Sequence, residues 1–402
     1  MNILLINHHR KFKSFAGGYM FGKYLVQRNH NVTLVVISDN AKHGIKEYDW
    51  DGIRTIETPD LLRGEARSGW CSWNLLNRIY FLLKDKTRYD IIHALECRPA
   101  TIYPCHMVRK YQKTPLLTDW IDWWGRGGLI KEHRPLWYQV LLGGVETYYE
   151  EHFRPQADGL TVISHSLAKR AIDTLGVDKE RIEWIPGGAN LEIFFPVNKC
   201  EIKAKYGINE NSLVIGFSGM DVLSDLPLVF KAFAIIQQEC PDSYLLLTGP
   251  DKNSIEQTLC SYSIKRENII APGRLPNLDQ VNEYLNMADV FVLPFTNKIS
   301  NFGRWPNKLG DYLAIGRPVV TNPVGEMKIF FNQHNIGLLA DETPEDFAEK
   351  VIYLLRQSDL REELGHNCRH IAENELNWNT IIQRLENFYE KIINMCSSAQ
   401  TN

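Results

Sequence analysis

Lys308 and Asp311 stand one helical turn apart just after Pro306, in the segment Arg304-Trp305-Pro306-Asn307-Lys308-Leu309-Gly310-Asp311-Tyr312. Proline fits the first turn of a helix, where its missing N–H costs nothing, and an i, i+3 pair lies on one helix face. A phosphate can use such a helix N-terminus together with Lys308, while Asp311 accepts a hydrogen bond from a sugar hydroxyl. An ordinary Lys–Asp pair on an amphipathic helix has the same spacing, so this segment alone leaves both readings open. Gly316 supplies a helix stop, and Arg317-Pro318 leads into the β-branched Val319-Val320-Thr321.

A second group is Asp119-Trp120-Ile121-Asp122-Trp123-Trp124-Gly125-Arg126-Gly127-Gly128. Indole faces stack on sugar rings and carboxylates hold hydroxyls, which makes Trp120, Asp122 and Arg126 candidates for holding a sugar acceptor, with Asp119 beside them. The same residues would also make a buried aromatic corner whose aspartates cap the next helix. No His lies close enough in sequence to complete a Zn or Mn shell, and no metal is expected. Glu96 and Arg98 either bind the acceptor or pair with each other. Gly17 and Gly18 let the backbone approach a ligand after the first strand, or form a plain turn; they do not make the Gly-x-Gly-x-x-Gly fingerprint of nicotinamide or flavin sites. Gly219 opens the second half of the chain in the same way, and the backbone at Arg274 and Leu275 could read the edge of a base. Ser164 and His165 have no third group to complete a nucleophilic triad and are read as structural.

These residues need elements to hold them. Short apolar runs alternate with amphipathic stretches along the chain, the pattern of parallel sheets covered by helices, so the class is α/β. Strands are expected at Ile3 to Ile6, Val32 to Ile37, Ile53 to Ile56, Ile91 to Ala94, Leu116 to Thr118, Gly159 to Ile163 and Ile182 to Ile185. The pattern pauses near Pro196 and restarts at Ser212. Later strands are expected at Tyr244 to Thr248, Ile269 to Ala271, Val290 to Leu293, Pro318 to Thr321 and Gly337 to Leu339. This divides the chain into domains at 1–196 and 197–375, a closing helix at 376–395, and a frayed tail at 396–402. Two doubly wound domains on a short linker would bring the carboxyl ends of both sheets around one cleft, where such sheets bind ligands.

Composition narrows the partners. A chain of 402 residues is long for one domain at ~100–200 residues each, and 44% hydrophobic with 23% charged residues suits full cores. The net charge of -3 gives no general attraction to nucleic acid, so a phosphorylated ligand must be held locally. The eight cysteines are scattered, which fits a reduced compartment. The strand-like start after Met1 lacks signal-peptide features, and no apolar run approaches the ~20 residues that span a bilayer. The chain is therefore expected in the cytoplasm, with any membrane contact peripheral, at the inner face. The segment from Trp70 to Leu83, with Arg78, Lys84, Lys86 and Arg88, is rich enough in apolar residues to touch a lipid surface, or is a helix packed in the core.

Taken in order, these motifs resemble the retaining GT-B glycosyltransferases of the family 4 type, over nearly the whole chain. Gly17-Gly18 with Asn29-His30-Asn31-Val32-Thr33 resembles the family's opening. Ala157 to Ser164 and Ile185-Pro186-Gly187-Gly188-Ala189-Asn190 resemble its interdomain stretch, and Ala288 to Pro294 with Pro306 to Val320 its donor-domain core. The resemblance implies the GT-B fold, two Rossmann-like domains facing a central cleft with a C-terminal helix crossing back to the first. It implies transfer of a sugar from a nucleotide diphosphate donor with retention, without a metal, to a glycan, lipid-linked or small-molecule acceptor. By carry-over Lys308 holds the diphosphate, Asp311 binds the donor ribose, the backbone at Arg274 and Leu275 holds the base, and Gly17, Gly18 and Gly219 approach the donor. The chain departs from the pattern in three respects. Gly303 stands where a carboxylate usually holds the transferred sugar, with Arg304 or Lys298 as candidates for a missing charge. Met220 and Asp225 occupy the region of the usual basic pair, and Asp119 or Trp120 stands where the family has an active-site His. Two other readings share the architecture: a nucleotide-sugar epimerase and a catalytically idle nucleotide-sugar binding protein.

Overall fold

The computed structural model of the chain describes residues 1–10, 18–38, 44–62, 68–219, 226–249, 255, 259, 261, 262 and 264–401. Gly17, Met220 and Asp225 lie outside the described residues. The chain forms two units: Met1–Pro186 with Phe302–Arg304 and Trp378–Asn402, and Gly187–Asn301 with Trp305–Asn377.

The first unit is built on eight strands: β1 (Asn2–Arg10), β2 (Asn31–Ile37), β3 (Lys46–Trp50), β4 (Ile53–Thr58), β5 (Ile91–Leu95), β6 (Leu116–Trp120), β7 (Gly159–Val162) and β8 (Ile182–Trp184). Their order is β3-β4-β2-β1-β5-β6-β7-β8, all pairings parallel except β3 against β4. The central strands are apolar without alternation because helices cover both faces; Leu4, Ile6, Val35 and Ile92 are fully buried in one cluster. Strand β3 has polar residues at its exposed positions and no run of β-branched ones, which is why the sequence pattern misses it. Strand β1 continues through His8, His9 and Arg10 after a register shift, four residues past the end at Ile6 expected from the sequence.

The second unit is a six-stranded parallel sheet, order β11-β10-β9-β12-β13-β14. Its strands are β9 (Val214–Ser218), β10 (Tyr244–Thr248), β11 (Ile269–Gly273), β12 (Val290–Leu293), β13 (Val319–Thr321) and β14 (Gly337–Leu339). In each sheet the winding reverses beside the first strand, at β1/β5 and at β9/β12. Doubly wound sheets open a crevice at the carboxyl ends of such strands.

The structure moves the domain boundary from 196 to 186. Gly187 presses against the helix Asn307–Ile315 so closely that a Cβ there would lie 2.1 Å from the Asn307 side-chain oxygen, and a Cβ on Gly310 would sit 3.1 Å from backbone atoms of Gly188 and Ala189. Ala189 N–H also donates to Leu376 O at 2.7 Å. These contacts hold Gly187 to Asn190 to the second unit.

The last helix, Trp378–Thr401, belongs to the first unit and runs through the region expected to fray. Trp378 packs on Phe21 and Tyr24, and Glu386 accepts from Arg28 Nε at 2.6 Å and pairs with His30 Nε2 at 2.7 Å. Partial burial pushes the Glu386 carboxyl up, but the hydrogen bonds from His30 and Arg28 outweigh it and hold the group below its ordinary value. A depressed carboxylate contributes stability above its unfolded value and loses it as pH falls through the folded one. Glu386→Gln should therefore destabilise the protein by about 1 kcal/mol at pH 7. In urea titrations from pH 7 to 3 the gap between variant and wild type should close below 4.5.

Candidate active site

In the second unit the site is assembled at the end of β9. The helix Asn307–Ile315 starts from Pro306, which is extended (φ -78, ψ 103) and occupies the N-cap, one position earlier than the first turn expected from the sequence. Proline offers no capping oxygen, and the first-turn N–H groups are a place for an anion. The helix is fixed by Tyr312, which stacks on Phe291 at 3.9 Å and accepts from Ser218 N–H at 2.7 Å. That bond sets the end of β9 against the helix. Lys308 then lays its ammonium 4.2 Å from the centre of the Phe217 ring, beside Gly219, where a Cβ would lie 2.5 Å from Nζ. Glycine at 219 is what leaves room for the cation. Asp311 is half-buried; burial pushes its carboxyl up to about 8, against the pull of Lys308. Gly316 ends the helix in the left-handed conformation, φ 73, as expected. Arg274 and Leu275 leave β11 through Gly273, also left-handed at φ 77, with Arg274 exposed.

In the first unit the crevice at β1/β5 and the end of β6 gather the remaining candidates. Gly18 has φ 73 at the start of the helix Tyr19–Gln27, and a Cβ there would lie 2.5 Å from Leu95, so the close approach is to the protein's own core. Glu96 adopts φ 76 at the end of β5, a strained conformation for a side-chain-bearing residue. Two bonds hold it: Oε1 accepts from Ile121 N–H at 3.1 Å and Oε2 from Arg154 at 3.0 Å. Arg98 donates to Ser68 O at 2.6 Å and lies over the Trp124 ring at 5.2 Å. Glu96 and Arg98 thus have other partners than each other.

Trp120 does not stack on a sugar. It is fully buried, with the guanidiniums of Arg154 and Arg170 at 4.4 and 4.9 Å from its ring and its N–H donated to Glu150. Arg126 is likewise engaged, in a two-pronged ion pair with Glu151 at 2.5 and 2.8 Å. Arg304 belongs to the first unit, not to the donor side expected for it. A Cβ on Gly303 would lie 2.5 Å from Trp123 Cβ, so Phe302–Arg304 nests against the 121–128 loop, and the charge of Arg304 acts on Asp122.

Asp119 turns inward. Its Oδ1 accepts from Thr161 Oγ1 at 2.7 Å, Thr161 is 3.0 Å from His93 Nε2, and His93 Nδ1 is 2.8 Å from Tyr389 Oη. Since Thr161 gives its hydrogen to Asp119, its oxygen accepts from His93 Nε2–H, and Nδ1 in turn accepts from Tyr389. Burial drives His93 down to about 3, so it stays neutral in this chain. Asp122 lies on the loop and is half-buried. Burial and then the neighbouring Glu96 push both aspartates up to about 7, Thr161 partly opposing this at Asp119 and Arg304 at Asp122. Ser164 caps the helix His165–Leu175 and His165 packs on Trp184, so both are structural.

Glu150 is a residue that the motifs do not single out. It accepts from Trp120 Nε1, Trp124 N–H, Gly125 N–H and Arg170, and so shapes the whole loop. The signal that could have found it is Glu146, Glu150 and Arg154 at i, i+4, i+8 near the end of an otherwise apolar helix. Among the described residues no group of three or more His, Cys, Asp and Glu is placed to hold a metal ion.

A family model described as Glycosyltransferase Family 4 matches residues 19–193, and one described as Glycosyl transferases group 1 matches 212–357. The N-acetyl-alpha-D-glucosaminyl L-malate synthase of Bacillus anthracis is 25% identical over 59% of this chain and 61% of its own. The UDP-Gal:alpha-D-GlcNAc-diphosphoundecaprenol alpha-1,3-galactosyltransferase of Escherichia coli is 23% identical over 87% of this chain and 86% of its own. The chain spans between about half and two thirds of the length of the first curated relatives it matches. Sucrose-phosphate synthase from Thermosynechococcus elongatus superposes with a TM-score of 0.77 at 17% identity, over 98% of this chain and 99% of that one. At that identity the likeness speaks for the fold, two parallel-sheet domains of the GT-B type.

The two raised aspartates yield a sign-definite prediction. A carboxyl whose folded value lies above its unfolded 3.8 keeps a proton that the unfolded chain has lost, so stability falls as pH rises from 3.8 to about 7. Asp119→Asn keeps an oxygen for Thr161 and removes that burden. It should raise unfolding free energy at pH 8 by on the order of 2 kcal/mol and flatten the decline between pH 4 and 7 in denaturant titrations.

Proposed function

We propose that the chain is a family 4 type glycosyltransferase of the GT-B fold that moves a sugar from a nucleoside diphosphate donor, UDP- or GDP-linked, to a glycan or lipid-linked acceptor with retention of anomeric configuration. One observation carries the reading: the Lys308 ammonium stands at an uncapped helix N-terminus, beside Gly219 at the end of the central strand β9. Departure of the nucleotide leaves negative charge on the diphosphate, and a fixed cation with helix N–H groups stabilises that charge without reorganising. Asp311 takes the ribose; held protonated below about pH 8, it can donate as well as accept and does not repel the diphosphate. The base meets the backbone at Arg274 and Leu275.

In the first unit Asp122 binds the acceptor hydroxyl, while Glu150 and Glu96 hold its loop in place. Asp119 acts through the buried chain as a positioning residue. The name of the Escherichia coli relative, with a UDP-Gal donor and a diphosphoundecaprenol-linked acceptor, supports a UDP-sugar and a lipid-linked acceptor here. No metal takes part in this reading, because Lys308 and the helix supply the positive charge.

A thermal-shift panel of UDP, GDP, ADP and TDP, with EDTA or Mg²⁺, tests the donor site. Wild type should be stabilised by UDP or GDP equally in both conditions. Lys308→Ala should stay folded and lose the shift, with turnover lower by ~10²-fold or more. Gly219→Ala, whose methyl displaces the ammonium, should weaken nucleotide binding by about tenfold, near 1.4 kcal/mol. Nucleotide affinity should also fall as pH rises past about 8 in wild type and not in Asp311→Asn. Wild type that no nucleotide stabilises would end the reading, and NMR of the product's anomeric coupling decides retention.

A further inference from the structure

The helix Leu136–His152 begins with ten residues that carry no charge, Leu-Trp-Tyr-Gln-Val-Leu-Leu-Gly-Gly-Val. Yet this segment is not packed away: Leu136, Trp137, Val140 and Leu141 are 74, 60, 74 and 69% exposed. Only further along does the helix enter the core, through Glu146 and Glu150. The helix Ser72–Lys84 shows the same inversion, with Trp73, Leu76, Tyr80 and Leu83 forming an exposed i, i+3, i+7, i+10 stripe while Asn74, Arg78 and Leu82 face inward. A hollow of about 490 Å³ lies where the segment entering Ser72–Lys84 meets Leu136–His152, lined by Leu62, Trp70, Trp137 and Leu142 among others. An apolar surface of this extent marks a place where something else docks.

Charge indicates what docks. The chain as a whole is net negative, yet the border of this face at the end of Ser72–Lys84 is locally basic. Lys131 and His133 are exposed just before Leu136–His152, and Lys84, Lys86 and Arg88 are exposed at the end of Ser72–Lys84. Glu132 and Asp90 are the exposed acids beside them. Uncharged helical surface with tryptophan and tyrosine at its rim and cations along its edge is the composition of an interfacial segment lying on anionic lipid.

We propose that the outer faces of Ser72–Lys84 and Leu136–Val145 are a docking surface for an anionic lipid bilayer, which Leu136–Val145 enters to the depth of its side chains. Among the described residues no helix is long and apolar enough to cross a membrane, so the contact is with one leaflet. Composition alone points to Ser72–Lys84 for such a contact and not to Leu136–Val145, whose uncharged run has the make-up of a core element. The proposal stands whether or not the transferase reading holds.

Vesicle flotation of the full chain tests it, using phosphatidylcholine alone and phosphatidylcholine with phosphatidylglycerol. The protein should float with the anionic vesicles, less so at high salt, and weakly with the neutral ones. Leu136→Glu with Leu141→Glu should cut the bound fraction at least tenfold, while an unchanged melting temperature shows that these exposed positions do not hold the fold. Lys84→Glu with Lys86→Glu should lower binding to anionic vesicles only. Binding that the Leu136/Leu141 double variant leaves intact, or wild type that does not float with anionic vesicles, would overturn the proposal. So would light scattering that shows a dimer in wild type and a monomer in that variant, since a further copy of the chain would then cover the face.

Discussion

The carboxylate of Glu150 is the interaction on which the first unit's chemistry rests. It is buried, and its two oxygens accept from an indole N–H, two backbone N–H groups and a guanidinium. A buried charge is tolerated only when paired and fully hydrogen-bonded, and removing one partner strands the other. Here the partners are the start of the tryptophan loop and Arg170, so the loop's conformation and the neutrality of the core are settled together. Arg154 extends the arrangement, donating to Glu96, to the Asp119 carbonyl and to the Glu150 carbonyl. Strain at Glu96, with its left-handed backbone, is held by the same guanidinium. The residual imbalance falls on Asp119 and Asp122, whose carboxyls are opposed by burial and by Glu96, and a perturbed carboxyl in a crevice is where function tends to reside.

The second unit solves a different problem, that of bringing a cation to a strand end without filling the space around it. Small residues do this. Gly219 leaves room for the Lys308 ammonium, Gly310 lets the helix approach the Gly188–Ala189 backbone, and Gly187 admits the Asn307 side chain. Tyr312 then locks helix to strand through one hydroxyl that both accepts from and faces the Ser218 backbone. Packing here is set by what is missing at Cβ, and a bulkier residue at any of these sites would shift the cation or the helix.

Both sheets are legible in the sequence because parallel strands buried on two faces read as apolar runs, and of the fourteen strands among the described residues thirteen stand where such runs are. Strand β3 escapes since it pairs at an edge with polar residues outward. The helix after Pro306 and its stop at Gly316 are legible from local rules of capping. Side-chain fate is less so: Trp120 and Trp123 share a motif, but Trp120 is the last residue of β6, a strand buried at every position, and Trp123 lies beyond it on the loop. Arg126 looks available in sequence and is held by Glu151, a partner 25 residues away. Arg304 stands three residues before an element of the second unit and lies in the first, a placement explained by the Gly303–Trp123 contact and by the bond from Ser164 Oγ to Phe302 O.

The chain does not finish the first unit before starting the second. It leaves at Pro186, returns for three residues at Phe302–Arg304, and comes back at Trp378. On a ribosome the eight-stranded sheet therefore emerges complete while Tyr389, the donor to buried His93, and Trp378, which covers Phe21 and Tyr24, are still unmade. Nearly half the protein must be synthesised with an apolar face of the first sheet waiting for its cover. The second unit, continuous but for those three residues, can close earlier. The order of completion is then the reverse of the order of translation, and the last helix to appear decides when the first domain is finished.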